Sequence, residues 1–439
     1  MGTIVMATQL IAGLSLLVFV HELGHFMAAK AFGMRVNKFY IFFDAWGKKI
    51  WSKEIGGTEY GIGWLPLGGY VQIAGMIDET QDAKDMSEEP EEWEFRAKPA
   101  WQRFIVMIGG IVMNIITGIL IFAMYLHVFK TEYLPVSELN KHGVYAYETA
   151  QDLGVRTGDK IIEINGTAPE RFRECVSTNL YLGKSIKVQH ADGQMEEIAL
   201  PKGFHKNIRQ PFISPMYEDI SVVAIAPDSG AEAAGMKAGD VIEEVAGREI
   251  KNFPILQEVL RSHKEDTVAV KVDRGGQMVT LQARVDTSGR LGFQPDLETS
   301  KEKYNFAPYD WGRAFKYSYK EGYDLIAAQV VSFGMLFTGQ LKVTESLSSP
   351  IGIAKIYGAV WDWDRFWFLT GLLSFVLAFM NILPIPALDG GHMVFLLFEM
   401  VTGRALSDEF LEKAQIVGFV LIMGLMVFAF GIDIYKIFK

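Results

Sequence analysis

Cysteine is almost absent: Cys175 is the only one in 439 residues. That excludes an intrachain disulfide framework and a zinc site built from cysteines. Lysine and arginine are missing from the first 29 positions, where His21, Glu22 and His25 are the only ionisable side chains. Without a basic leader or a small-residue cleavage site, this stretch is not a standard secretory signal, and cleavage there would remove its three polar residues. Residues 4–29 therefore read as a retained transmembrane helix. A positive surplus is lacking too. The formal net charge is −10, which argues against nucleic acid as a partner, because neutralising phosphates takes basic patches. The chain is 50% hydrophobic and 21% charged, too apolar for an ordinary soluble enzyme and too charged for a pure membrane bundle. Several spans plus water-exposed domains are expected.

What the first span does contain is His21-Glu22-Leu23-Gly24-His25, an H-E-x-x-H stretch. On a helix, His21 and His25 lie four residues apart and share one face. Two imidazoles so placed can bind one Zn²⁺ while Glu22 acts on the attacking water. The pentapeptide alone recurs by chance. Its setting adds weight, because an acid and two histidines are costly in an apolar span and usually mark function. The plainer alternative, polar residues just past the membrane boundary, explains the location but not the spacing.

Lys30, Arg35 and Lys38 follow the span directly. By the positive-inside rule the N-terminus faces out, and the histidines lie toward the cytoplasmic end. Residues 39–75 alternate apolar residues with Gly and Pro, suggesting short hairpin strands. Two readings stay open for residues 60–73: a membrane-dipping strand edge that pairs with an extended substrate, or a small cytoplasmic sheet. The acidic run at 78–96 reads as a solvated loop. Arg96, Lys98 and Arg103 then precede an uncharged second span, Phe104 to Phe129. Its Gly109, Gly110, Asn114 and Gly118 fall near one face, which suits close helix packing.

Between the spans a repeat stands out. G-V-R-T-G-D-K-I-I-E-I-N-G at 154–166 matches G-M-K-A-G-D-V-I-E-E-V-A-G at 235–247, and the register of 81 residues continues to Phe172 and Phe253. A period this long indicates a duplicated domain. The pattern resembles the PDZ fold of protease-associated type. Neither copy carries a plain Gly-Leu-Gly-Phe carboxylate loop, so a steric filter is at least as well supported as capture of peptide ends.

Residues 304–361 mix aromatic, charged and apolar side chains, and Trp311–Leu341 is expected as an amphipathic helix on the outer membrane surface. A third span, Phe366 to Leu383, runs into Pro384-Ile385-Pro386-Ala387-Leu388-Asp389-Gly390-Gly391-His392. Asp389 is the best candidate for a third zinc ligand. His392 is an alternative ligand, and a capping role for Asp389 is another alternative. A fourth span is placed at about Ile416 to Phe438, with Asp433 interfacial.

Together, the H-E-L-G-H stretch in the first span, N-x-x-P-x-P-x-L-D-G-G-H at Asn381 to His392, and the two intervening repeats resemble the site-2 protease family of the bacterial RseP type. The likeness covers the whole chain. It implies a polytopic α-helical membrane protein with four transmembrane helices, a membrane-dipping β-hairpin region and two α+β PDZ-like domains. The implied order is a first span at 1–30, a cytoplasmic β region with an acidic loop at 31–102, and a second span at 103–130. PDZ-like domains follow at 131–213 and 214–300, then a periplasmic amphipathic segment at 301–364, a third span at 365–393, and a loop with the fourth span at 394–439.

The likeness further implies an intramembrane zinc metalloprotease of the cell inner membrane. Its substrates would be single-span membrane proteins such as anti-sigma factors or remnant signal peptides. By resemblance, His21, His25 and Asp389 ligate zinc and Glu22 is the base. Asn381, Gly69, Tyr70, Val71 and Asn114 are the residues that contact substrate. The N-terminus and the PDZ-like domains would be periplasmic, the active site toward the cytoplasm. Two departures stand out. Ser374-Phe375-Val376-Leu377 offers no second amide ahead of Asn381, and the second-span stretch from Gly110 to Asn114 has no proline. The rival readings are a silent PDZ adaptor with structural zinc and a metal transporter. Glu22 between the histidines argues against the first, and the absence of a relay of further sites argues against the second.

Overall fold

A computed structural model describes residues 2–66, 68–76, 89–129, 131–177, 180, 183–201, 211–339 and 349–438. The chain divides into two units, Met1–Thr131 with Tyr309–Lys439, and Glu132–Pro308. Most of the acidic run expected at 78–96 lies outside the described residues.

The first unit is helical. Four of its helices are long and apolar enough to cross a membrane: α1 (Gly2–Ala31), α2 (Ala100–Val128), α5 (Trp363–Ile382) and α7 (Asp408–Phe438). This makes the chain a polytopic membrane protein. Helix α2 is the hub, packing against α1, α5, α3 (Trp311–Phe337) and α6 (Asp389–Thr402). Small residues allow it, as expected where lipid removes the hydrophobic drive and close packing decides helix association. Gly118 of α2 and Gly322 of α3 both abut the ring of Phe375 on α5.

Helix α3 departs from the surface-lying helix expected of Trp311–Leu341. It runs lengthwise along its neighbours. Trp311 lies 4.3 Å, ring to ring, from His127 near the end of α2, and Phe333 lies 5.4 Å from Phe379 near the end of α5. The hollow at Gly322 that receives Phe375 explains the difference. Asp433, near the end of α7, is buried, and its Oδ2 accepts hydrogen bonds from Ser349 N (3.0 Å), Ser349 Oγ (2.5 Å) and Gly352 N (3.2 Å) at the start of α4 (Pro350–Tyr357).

After α1 comes a four-stranded sheet of β1 (Val36–Ile41), β2 (Lys49–Ile55), β3 (Thr58–Gly63) and β4 (Tyr70–Ile73), in the order β2-β3-β1-β4. Strands β2 and β3 form an antiparallel hairpin around Gly56-Gly57, whereas β1 is parallel to β3 and antiparallel to β4. Strand β4 is an edge of the sheet.

The second unit has two separate hydrophobic cores, one centred on Leu139, Ile186 and Phe212, the other on Val245, Leu256 and Val270. The first contains the sheet β5 (Lys160–Ile164), β6 (Ser185–Gln189) and β7 (Met195–Ala199). The second contains β8 (Glu218–Ile225), β9 (Val241–Val245), β10 (Thr267–Asp273), β11 (Met278–Arg284) and β12 (Phe293–Thr299), in the order β11-β10-β9-β8-β12. The repeat shows in the backbone. Gly158 and Gly239 have φ of +95° and +90°, and Asn165 and Ala246 have +53° and +51°. In each copy the aspartate accepts from the amide three residues back: Asp159 from Arg156 N at 2.7 Å, Asp240 from Lys237 N at 2.8 Å.

Candidate metal centre

Helix α1 carries His21 and His25 one turn apart, and both are buried. The third group arrives from far along the chain. After α5, the Pro384–Leu388 turn holds Ala387 at φ +87°, a conformation that costs energy for a residue with a side chain and that collects at functional sites. Gly390 and Gly391 have no Cβ to collide with the carbonyls of Leu383 and Ile385, so α6 can start tight against this turn. Asp389 opens α6 and faces the two imidazoles.

The three donor atoms form a near-regular triangle. His21 Nε2 is 3.1 Å and His25 Nε2 3.4 Å from Asp389 Oδ2, and the two Nε2 atoms are 3.2 Å apart. Tetrahedral coordination at about 2.0–2.1 Å sets ligand atoms about 3.3 Å from one another, so the edges match a zinc site with one position open. Asp389 Oδ2 is buried against the two imidazole nitrogens yet accepts no well-aligned hydrogen bond. A buried carboxylate oxygen without a donor calls for a cation. The residues present fit Zn²⁺.

A cavity of about 380 Å³ opens on this triangle, and Glu22, Gly69, Tyr70, Asn114, Asn381 and His392 are among its lining residues. Glu22 thus shares the cavity with the donor atoms. A Cβ built on Gly69 would stand 3.6 Å from Glu22 Cγ, so the edge strand β4 begins beside the acid. Val71 also lines the cavity. Tyr70 has its hydroxyl occupied, donating to Asp44 Oδ1 at 2.8 Å, and its ring stacks on Tyr40 and Phe43. Asn381 Nδ2 lies 3.3 Å from His21 Nε2, and Asn114 Nδ2 lies 3.3 Å from His21 Nδ1. His392 lines the cavity but does not join the triangle.

Two groups escaped the sequence reading. The Val106 carbonyl oxygen lies 2.8 Å from His25 Nδ1 and accepts its hydrogen; a backbone group has no signature in a sequence. In the second unit, Arg290, Leu291, Gly292 and Phe293 border a cavity of about 610 Å³ between the helix Phe253–Ser262 and the edge strand β12. A search for strict Gly-Leu-Gly-Phe passes over it, because arginine holds the first position.

Membrane-crossing helices that carry a His-Glu-x-x-His pair and a third carboxylate define a candidate metalloprotease centre. The family model described as peptidase family M50 matches residues 9–425. The chain belongs to that family, and it is a zinc metalloprotease. Among its relatives, the regulator of sigma E protease of Haemophilus influenzae is 27% identical, over 97% of this chain and 98% of its own. The regulator of sigma-E protease RseP of Salmonella typhimurium is 27% identical, over 95% of this chain and 96% of its own.

Proposed function

We propose that this zinc metalloprotease works within the inner membrane, cutting single-span membrane proteins in or beside their transmembrane segment. His21, His25 and Asp389 hold the zinc, and Glu22 is the base. The observation that carries the reading is the triangle of donor atoms inside a bundle of apolar helices, opening on the cavity that Glu22 lines. The names of the Haemophilus and Salmonella relatives point to sigma-E regulation, which supports anti-sigma factors as substrates; remnant signal peptides are the same chemical class.

A transmembrane helix keeps its carbonyls in its own hydrogen bonds, so a segment must be drawn out before it can be cut. Gly69 and the first residues of edge strand β4, Tyr70 and Val71, offer backbone groups that an extended segment can pair with. Asn381 stands where its amide can orient that segment near the donor atoms. Zinc, when bound, supplies the Lewis acidity that acidifies water and polarises a peptide carbonyl. Glu22 takes the water proton and delivers it to the leaving amine nitrogen. Lys30, Arg35 and Lys38 after α1 support an active site toward the cytoplasm and an outer, periplasmic location for residues 132–308.

The two copies in that unit act as PDZ-like domains. The cavity beside Arg290–Phe293 favours a peptide-holding role for the second copy over a purely steric filter, since an edge strand, an apolar helix face and a cationic end adjoin there.

The test is cleavage of a tagged single-span protein in detergent by wild type and Glu22→Gln, with zinc quantified in both. Product from wild type alone at equal zinc supports the reading. Zinc in both without product from either, across several substrates, favours an adaptor.

A further inference from the structure

Helix α2 presents Val106, Gly110 and Asn114 at intervals of four, hence on one face, and all three meet the zinc-binding imidazoles. Val106 O accepts from His25 Nδ1, which leaves His25 Nε2 as a bare lone pair facing the centre. At Gly110 a Cβ would strike His25 Nε2 and the His21 ring, so the notch left by glycine seats both rings. Asn114 is 1% exposed, and its side chain reaches Nδ1 of His21.

The polarity of that last contact is informative. As placed, the Asn114 Nδ2 group, a donor, faces His21 Nδ1, while Asn114 Oδ1 is buried without a partner. A neutral imidazole that offers Nε2 to a metal carries its hydrogen on Nδ1 and needs an acceptor there. Turning the carboxamide by half a rotation supplies that acceptor and ends the orphaned oxygen at once; the two ends of an amide are assigned by such networks. The residue is also pinned from behind, since Ser374 Oγ of α5 donates to the Asn114 carbonyl at 2.7 Å.

Resting on the zinc-centre reading above, we propose that Asn114 is a positioning residue for the metal rather than a substrate contact. Its Oδ1 holds Nδ1–H of His21, and so fixes the Nε2 ligand and the ring plane. With the Val106 carbonyl, it makes α2 the template that sets both histidines.

The test uses the full chain in detergent and measures zinc affinity by chelator competition, with Co²⁺ absorption spectra as a second readout. Asn114→Leu removes the acceptor and should weaken zinc about 10–100-fold, the usual cost of losing such a partner, and shift the Co²⁺ bands, with KM unchanged. Asn114→Asp keeps an acceptor oxygen and should bind zinc at least as tightly as wild type. Wild-type zinc affinity with a raised KM in the leucine variant would overturn the proposal and make Asn114 a substrate contact. If that variant does not fold, an aspartate variant weakened tenfold or more overturns it equally. His21→Ala with undiminished zinc would instead show that the zinc-centre reading itself has failed.

Discussion

Gly24 on α1 and Gly109 on α2 meet backbone to backbone, and a Cβ on Gly109 would lie 2.7 Å from the Gly24 carbonyl oxygen. The crossing falls one residue from His25 and one from Gly110, so the approach of the two helices sets how the two imidazoles sit against α2. Gly109→Ala must push the helices apart, because backbone is what it meets. Overpacking of this kind costs about 1–3 kcal/mol. The same shift draws the Val106 carbonyl off His25. We expect a lower unfolding temperature together with weaker zinc binding. Loss of stability at unchanged zinc affinity would separate the crossing from the centre.

Asp389→Asn keeps the shape of the third donor and removes its charge. In the proposed centre the cation is the partner of the buried Asp389 Oδ2, which accepts no well-aligned hydrogen bond. The variant should therefore lose zinc on mild chelation that wild type withstands, and lose activity in parallel. His392→Asn should keep its zinc, since His392 lies outside the triangle. Metal analysis of both proteins after dialysis against a chelator decides the matter. The opposite pattern would hand the third position to His392.

The membrane helices were readable because a span must satisfy every backbone group internally, which demands long apolar runs. The duplication was readable because its turns require glycine or a small polar residue at fixed places. The choice between Asp389 and His392 was not. It depends on how the Pro384–Leu388 turn aims the start of α6, and on Ala387 at a φ that alanine rarely adopts. The course of α3 was hidden for a related reason: its charges suggest a surface, while the contact that decides its direction is Gly322 with a ring some fifty residues away, Phe375. That Ser349 would supply donors to Asp433 was hidden as well, since nothing in the sequence links the two.

Edge strand β4 yields a prediction that leaves the metal alone. A side chain at Gly69 would meet the Tyr40 carbonyl, Val18 and, at 3.6 Å, Glu22. Gly69→Val should displace the start of β4 from the acid. Since only the presentation of substrate changes, kcat/KM should fall by about tenfold or more, equivalent to about 1.4 kcal/mol of lost transition-state stabilisation. Zinc content should match wild type. Unchanged cleavage of a membrane substrate would mean that the strand edge does not take part.

The two repeats differ in how they hold the same aspartate, and the difference is titratable. Asp240 is clamped by Arg274, Nε to Oδ1 and Nη2 to Oδ2, both at 2.7 Å. That pairing depresses its carboxyl pKa, so its contribution persists above the usual carboxylate range and fails only in acid. Asp159 is held by His190 instead, Nδ1 to Oδ1 at 2.8 Å, and the other ring nitrogen reaches Glu196 Oε2 at 2.8 Å. The bonds to Glu196 and then Asp159 raise the His190 pKa, against opposition from burial and from nearby Arg156. A raised histidine pKa stabilises the fold fully below its ordinary value of 6.5, and the gain disappears as pH climbs through the elevated value. Thermal unfolding of residues 132–308, followed within the whole chain, should therefore show the first copy weakening as pH rises from 6.5 through the elevated value while the second holds steady. His190→Gln should remove that slope and leave the copy at its alkaline stability at every pH in this range. A first copy whose unfolding temperature ignores pH, or a slope that survives in the glutamine variant, would remove His190 as its source.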